Sequence, residues 1–364
     1  MEMTCKPLVS VIIPAFNAAR YIRQALNSVL AQTYPAIEMI VVDDGSSDAT
    51  SAIVNEFVIR DARIQLVRQG NMGVGAARNT AISKARGKYI APLDGDDFWF
   101  PEKLEKQVTC MEQCSNETGL VYCWSTLIDE EGGFLGLSYP QTAEGRLRHA
   151  LVLRHIVGNA SVPLFRAAAL EKVGVYLTRA EQGGAQGCED WDLHLRIAEA
   201  FNVRVVPEYL VAYRQTKSSM SVNTESMAAS YAVAIRRARE RNRDLPSTTF
   251  RWAAGHFYGY LSQKCYLWDD YCCCLRHLSK AVCADPVMLL NTCLCKTLIK
   301  AFLKGVIGLT VNHFAEQVRP SPKELGKAAG LRPPIESERS FISDRILERI
   351  ELKRWSAVLQ HDGA

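Results

Sequence analysis

The first hundred residues alternate short apolar, β-branched runs with stretches of helical period, and this alternation restricts the chain more than any other feature. Residues 8–13, bounded by Pro14, have the length and composition of a buried strand. Ile22, Ala25, Leu26, Val29 and Leu30 then recur at i, i+3, i+4, i+7 and i+8, the apolar stripe of an amphipathic helix that Asn17 is placed to cap. Further strands are expected over 37–42, 64–67 and 89–93, with helices starting near Asp48 and over 73–85. Strand, helix, strand, helix on short links predicts an α/β fold with a mainly parallel sheet covered on both faces. In such sheets ligands bind beyond the carboxyl ends of the strands. Those ends carry Pro14-Ala15-Phe16-Asn17, Asp43-Asp44 and Asp94-Gly95-Asp96.

Two carboxylates separated by a single glycine, as in Asp94-Gly95-Asp96, can present oxygens to one hard cation and leave room for a ligand. Mg²⁺ and Mn²⁺ take such ligands and keep positions open for phosphate oxygens. A cation there would neutralise a departing diphosphate. A lone Asp-Gly-Asp is usually a solvated turn, but its place at the end of a buried strand, beside Asp43-Asp44, reverses that reading. The run 43–48 either holds a nucleotide or is a capped turn, since Asp, Gly and Ser serve both. Gly73-Val74-Gly75 invites a dinucleotide-binding reading, which fails because Arg78 stands where a small residue is required. Arg78 is better suited to donating to phosphate. Glu189-Asp190 follows a glycine-rich loop and opens a helix. A carboxylate there can take a proton from an attacking hydroxyl, yet N-terminal capping explains the acids equally well, and spacing alone favours capping.

The remainder is mixed and then helical. Helices are expected over 101–111 and 146–154, a strand over 120–127, a polar loop over 175–187, and short strands over 203–206 and 210–213. The segment 217–224 lacks period and is expected to be mobile. From 226 onward the pattern is helical, with paired helices over 250–268 and 272–283, another from Pro286, and a last one over 343–358. Residues 225–364 hold 21 Lys/Arg against 14 Asp/Glu, which leaves 22 against 25 for residues 1–224. The net charge of +4 is too mild to argue for nucleic-acid binding. Seven of the twelve cysteines lie between Cys265 and Cys295, with His277 nearby, but consecutive cysteines on a helix point apart, so small buried hydrophobes are the default over zinc. Without an export signal, the cysteines read as reduced thiols of a cytoplasmic protein, and Asn116-Glu117-Thr118 and Asn159-Ala160-Ser161 as chance matches to a glycosylation pattern. No run of 18 apolar residues occurs, so no spanning helix is expected.

Taken in order, the motifs resemble the family 2 glycosyltransferases: residues 9–17 ending Pro14-Ala15-Phe16-Asn17, then Val41-Val42-Asp43-Asp44-Gly45-Ser46-Ser47-Asp48. Asn71 to Asn79, Leu93-Asp94-Gly95-Asp96-Asp97 with Pro101, Glu189-Asp190-Trp191-Asp192-Leu193, and Tyr213-Arg214 continue the match. The resemblance implies a GT-A fold over residues 1–225, with 226–364 as a helical region outside it. It also implies inverting transfer of a sugar from a nucleotide-activated donor, usually UDP-linked. Carried over by position, Pro14, Phe16, Asn17 and Asp44 would cradle the nucleoside, with Asp44 facing the base. Asp94 would contact the ribose or the metal, and Asp96 would ligate Mn²⁺ or Mg²⁺. Asp190 would be the general base, with Glu189 as second candidate, and Arg78 and Arg214 would lie on the phosphate side. The loop 217–221 would close over the donor.

Processive members carry several membrane helices and a Gln-x-x-Arg-Trp motif after the base. Here Tyr213-Arg214-Gln215-Thr216 takes that place, so single-sugar addition is expected, onto a glycan or lipid-linked acceptor of cell-surface polysaccharide. Two other readings compete. A nucleotidyltransferase would need a glycine-rich basic loop after the first strand, and residues 14–19 supply none. A non-catalytic scaffold of the same fold would be favoured by loss of Asp96 or Asp190, and both are present. The basic helical region also suits peripheral contact with an anionic membrane. Flotation with anionic vesicles is then expected to carry the protein upward, and failure to float removes that contact.

Overall fold

The structure, a computed structural model, describes residues 6–217, 219–305 and 342–363. The chain opens with the predicted alternation of β1 (Val9–Ala15), α1 (Ile22–Leu30), β2 (Ile37–Asp43), α2 (Thr50–Arg60), β3 (Ile64–Arg68), α3 (Val74–Ile82) and β4 (Tyr89–Pro92). Every residue of β1 and β2 is buried, as parallel strands covered on both faces require. β1 lies between β2 and β4 and runs parallel to both, and β3 extends the parallel set on the far side of β2. The ladder between β1 and β4 ends at Ile12 opposite Pro92, so Pro14 falls past it, where a strand residue without an N–H is tolerated.

Beyond β4 the pairing is mixed. It proceeds through β5 (Phe98–Trp99), β6 (Thr118–Ile128), β7 (Phe134–Leu137), β8 (Leu164–Arg166) and β9 (Asn202–Arg214). The order is β3-β2-β1-β4-β8-β6-β9-β5, with β7 on β6. β8 is antiparallel to both neighbours, whereas β9 runs parallel to β6. The two short strands expected over 203–206 and 210–213 are therefore one. Pro207 is accommodated by a register shift, with Tyr122 opposite Val205 and Trp124 opposite Tyr209, and the bulge carries the strand past a residue that cannot donate.

Asn17 does not cap α1. The helix starts at Ile22 with no side-chain cap, while Asn17 takes a left-handed φ of 48° and turns its amide toward the next strand end. Asn tolerates that conformation better than most residues. The segment 217–224 is not wholly irregular, since Met220–Val222 forms a 3-10 turn.

Helices α4 (Lys103–Glu112), α5 (Arg148–Leu153), α6 (Ala167–Val173) and α7 (Glu189–Ala200) complete the front of the chain. The back is α8 (Thr224–Arg241), α9 (Ser247–Leu267), α10 (Tyr271–Ala284), α11 (Thr292–Gly305) and α12 (Ile342–Asp362). These later helices share the core of the sheet: one apolar cluster runs from Val11 and Ile40 through Leu151 and Trp191 to Tyr231, Phe257, Leu261 and Val358. At the far end, Asp362 of α12 accepts from the backbone N–H groups of His149 and Ala150 (2.8 and 2.9 Å), which closes the first turn of α5. Cys265 and Cys274 are buried together against Ala301, as small hydrophobes would be, whereas Cys272 and Cys283 are exposed. Among the described residues, no helix is long and apolar enough to cross a membrane.

Candidate active site

The parallel register gathers the three acidic strand ends. Ala15 sits opposite Asp43, the Asp44 N–H donates to the Ala15 carbonyl (2.8 Å), and the Leu93 N–H donates to the Ile12 carbonyl (3.0 Å). Asn17 locks the second end, its Oδ1 accepting from the Ser47 N–H (2.9 Å) while its own N–H donates to Ser46 Oγ (2.9 Å). Phe16 is half exposed at the rim, and Pro14 is buried beneath it. Asp44 does not stand open to solvent. Its carboxylate accepts from Gln69 Nε2 (2.8 Å) and from the backbone N–H groups of Met72 (2.9 Å) and Gly73 (2.8 Å), so it pins the loop that leads into α3.

α3 then packs tightly under the loop after α6. A Cβ on Gly75 would lie 2.2 Å from the Leu177 carbonyl oxygen, so only glycine fits. This close approach lets Arg78, one turn on, reach across the sheet end. Arg78 is buried and donates to Asp94 Oδ1 (2.6 Å) and Glu189 Oε1 (3.1 Å). Burial opposes its charge, but Asp94, Tyr176 and Glu189 outweigh that and hold it firmly protonated. The arginine expected to face a phosphate turns both Nη groups to the carboxylates on either side of the site, and its Nε is buried with no hydrogen-bond partner among the described residues. Arg214 is likewise buried. Its guanidinium donates to the carbonyls of Asp96 (2.8 Å), Asp129 (2.9 Å) and Glu130 (3.0 Å) and to Gln24 Oε1 (2.7 Å), and its N–H donates to Asp97 Oδ1 (2.9 Å). It fixes the backbone of the acidic turn and does not face a phosphate.

Asp97, the last acid of the run Asp94-Gly95-Asp96-Asp97, underpins the turn. It is buried, accepting from Ser161 Oγ (2.6 Å), which itself accepts from the Asp94 N–H (3.0 Å). Among the described residues, no side chain donates to the Asp96 carboxylate. Burial first, and Asp94 second, push it up to about 6. A carboxylate whose charge is disfavoured in this way gains most from a cation. No group of three or more His, Cys, Asp or Glu side chains that could hold a metal occurs among the described residues. A divalent ion at Asp94 and Asp96 would thus complete its shell with water and diphosphate oxygens, which suits Mg²⁺ or Mn²⁺.

The other face of the site is the start of α7. The loop before it, predicted as polar and irregular, is held at both ends. Asn79 Nδ2 donates to the Tyr176 carbonyl (2.8 Å), and the N–H groups of Gln186 and Cys188 donate to Ser226 Oγ (3.0 Å) and Ser230 Oγ (2.9 Å) on α8. Trp191 anchors the first turn through Nε1 to the Leu151 carbonyl (2.8 Å), packed against His155, Tyr231 and Phe257. Glu189 is buried, and its carboxylate accepts from the Gly187 N–H (2.7 Å) as well as from Arg78. Asp190 opens onto a cavity of about 480 Å³ that Asp94 also lines. Apart from its own neighbour, Trp191 N–H at 2.7 Å, no described residue hydrogen-bonds to it, and the surrounding protein pushes it up to about 6 against the pull of Arg78. Capping is therefore not the whole role of this pair: Glu189 secures Arg78, and Asp190 is left as a weakly solvated carboxylate. Behind them His155 Nε2 meets His194 Nδ1 at 3.0 Å, both rings kept neutral by burial. No local pattern signalled that pair.

A mixed sheet with acidic strand ends opposite carboxylates at a helix start is a GT-A-like arrangement. The fold is similar to that of TarS 1-349 from S. aureus in complex with UDP (TM-score 0.53, 18% identity, covering 81% of this chain and 89% of that one). It is also similar to the mannosyltransferase PcManGT from Pyrobaculum calidifontis in complex with GDP-Man and Mn²⁺ (TM-score 0.50, 18% identity, covering 90% and 86%). The chain matches, over residues 10–173, the family described as glycosyl transferase family 2. It is 33% identical over 197 residues to the chondroitin synthase of Escherichia coli, covering 53% of this chain and 27% of that enzyme. The chain spans less than two thirds of the length of the first curated relatives it matches.

Proposed function

We propose that the protein transfers one sugar from a nucleotide-activated donor, most simply UDP-linked, to an acceptor hydroxyl with inversion, in the assembly of a surface polysaccharide. The observation that carries this reading is Asp190. It lines the cavity together with Asp94, and among the described residues no side chain hydrogen-bonds to its carboxylate. In the step itself, Asp190 takes the acceptor O–H proton as the oxygen bonds to the anomeric carbon. The bond from that carbon to the phosphate oxygen breaks, and the nucleoside diphosphate departs with its electron pair. One in-line displacement inverts the centre and needs one base. Pro14, Phe16 and Asn17 would border the nucleoside, with Asp44 shaping the pocket floor by holding the loop after β3. Asp94 and Asp96 would hold Mn²⁺ or Mg²⁺, which supplies positive charge to the leaving diphosphate. Support comes from relatives in the same chemistry: TarS is described with UDP, PcManGT with GDP-Man and Mn²⁺, and the curated relative makes chondroitin.

The test is a panel of UDP-, GDP- and dTDP-sugars, with and without Mn²⁺. One donor is expected to bind only with metal, and Asp96→Ala is expected to weaken that binding by at least about tenfold while the protein melts at an unchanged temperature. Equal binding by wild type and Asp96→Ala would remove the cation role. No binding of any nucleotide sugar would favour a scaffold.

A further inference from the structure

The family match ends at residue 173, yet the cavity that Asp190 faces is closed by helices beyond residue 226. Its far wall is α9 with its C-terminal cap, which together contribute Tyr260, Gln263, Lys264 and Trp268. Resting on the glycosyl-transfer reading above, we propose that this wall is the acceptor site and that it takes a saccharide bearing an acid group. Lys264 receives the acid, and Gln263 and Trp268 hold the adjoining sugar.

Lys264 carries the argument first. It is 7% exposed, and its ammonium donates only to neutral oxygens, Gln215 Oε1 (3.0 Å) and Ser221 Oγ (3.4 Å). No carboxylate among the described residues pairs with it, in contrast to Arg78 and Arg354, each of which meets acid groups in its own buried setting. Burial alone lowers it to about 8, so it is still mostly charged at neutral pH. A buried cation without a counter-charge is costly, and an anion entering the cavity supplies what is missing.

The second observation is independent of charge. Trp268 Nε1 and Gln263 Oε1 are buried with no hydrogen-bond partner, one a donor and one an acceptor, at the C-terminal end of the same helix and on the same cavity. Orphaned polar atoms in a native structure call for an explanation, and sugar hydroxyls satisfy both kinds at once. Tyr260 adds an aromatic ring beside them. A polyprenyl or acyl chain in this position would leave the indole N–H and the amide oxygen without partners and the ammonium without a counter-charge. The wall therefore reads the glycan of an acceptor and not its lipid.

Another acid oxygen within the same reaction is the donor's diphosphate, and the test separates the two. Wild type and Lys264→Met are titrated by calorimetry with the nucleotide chosen by the donor panel, in Mn²⁺. Both are also titrated with a disaccharide ending in glucuronic acid and with its glucose-ended counterpart. Wild type is expected to bind the acidic sugar at least about tenfold more tightly than the neutral one. Lys264→Met is expected to lose that preference and keep its nucleotide affinity, and Trp268→Phe to weaken both sugars alike at an unchanged melting temperature. Equal affinity for the two sugars, or binding of neither, overturns the proposal. So does a loss of nucleotide affinity in Lys264→Met, which would give the ammonium to the diphosphate. Failure of wild type to bind any nucleotide would instead count against glycosyl transfer itself.

Discussion

Asp190→Asn is expected to bind donor and metal as wild type does and to turn over about 10²–10⁴-fold more slowly, the usual contribution of a positioned general base. The substitution keeps the shape and the contact with the Trp191 N–H, so the start of α7 should stay in place and only the proton acceptor is lost. The same group sets the acid limb of the pH profile. Burial raises Asp190 to about 6, and only its ionised form can accept a proton, so kcat/KM should climb with pH through about 6 and level off above it. Below that value, activity should fall tenfold per pH unit as the base becomes protonated. The measurement is initial rates across pH 4.5–8 on the donor identified by the panel, a range set about one to two units either side of that value. If Asp190→Asn keeps more than about a tenth of the turnover, a loss far below that of a base, the assignment fails and Glu189→Gln becomes the variant to examine.

The second large effect belongs to Arg78. Arg78→Met removes the one cation that Asp94 and Glu189 share, at 2.6 and 3.1 Å, and leaves both acids facing one another at the end of the sheet. Breaking a buried pair by deleting one partner costs about 3–5 kcal/mol, because the remaining charge has neither water nor counter-ion. For a chain of this size that corresponds to a drop in melting temperature of roughly 5–10 °C. Donor binding should weaken as well, since Asp94 would lose its orientation beside Asp96. Arg78→Lys should recover only part of the loss, as an ammonium cannot hold two carboxylates in the forked geometry of a guanidinium. A melting temperature of Arg78→Met within about 1 °C of wild type would show that the pairing contributes no stability, a result far outside the cost of a stranded buried charge.

Much of this site could be read along the chain because the fold makes it local. In a parallel α/β sheet each strand delivers its last residue to the same edge, so Pro14, Asp44, Asp94 and Asp96 could be placed together from strand ends alone. Periodicity located α1 and α3 and the buried strands before them, since a single apolar stripe is a property of neighbouring residues. The same reasoning does not reach the partners of Arg78, Arg214 and Asn17, which come from distant segments: Arg78 from Glu189, Arg214 from Asp129 and Gln24, Asn17 from Ser47. Residues 202–214 read as two short strands because pairing with β6, which absorbs Pro207 as a bulge, is invisible in the strand's own pattern.

The sequence by itself determined the class of fold, the edge where chemistry happens and the acids that stand there, because burial pattern and turn composition are short-range properties. Tertiary structure decided how those acids are partnered. Arg78 engages Asp94 and Glu189 and leaves Asp190 alone at the cavity, a choice that depends on two helices meeting across the sheet. It also placed α8 and α9 against the site: the α8 serines hold the entry to α7, and polar side chains of α9 line the cavity wall. Hydrophobic periodicity states which face of a helix is buried. What that face is buried against follows only from packing.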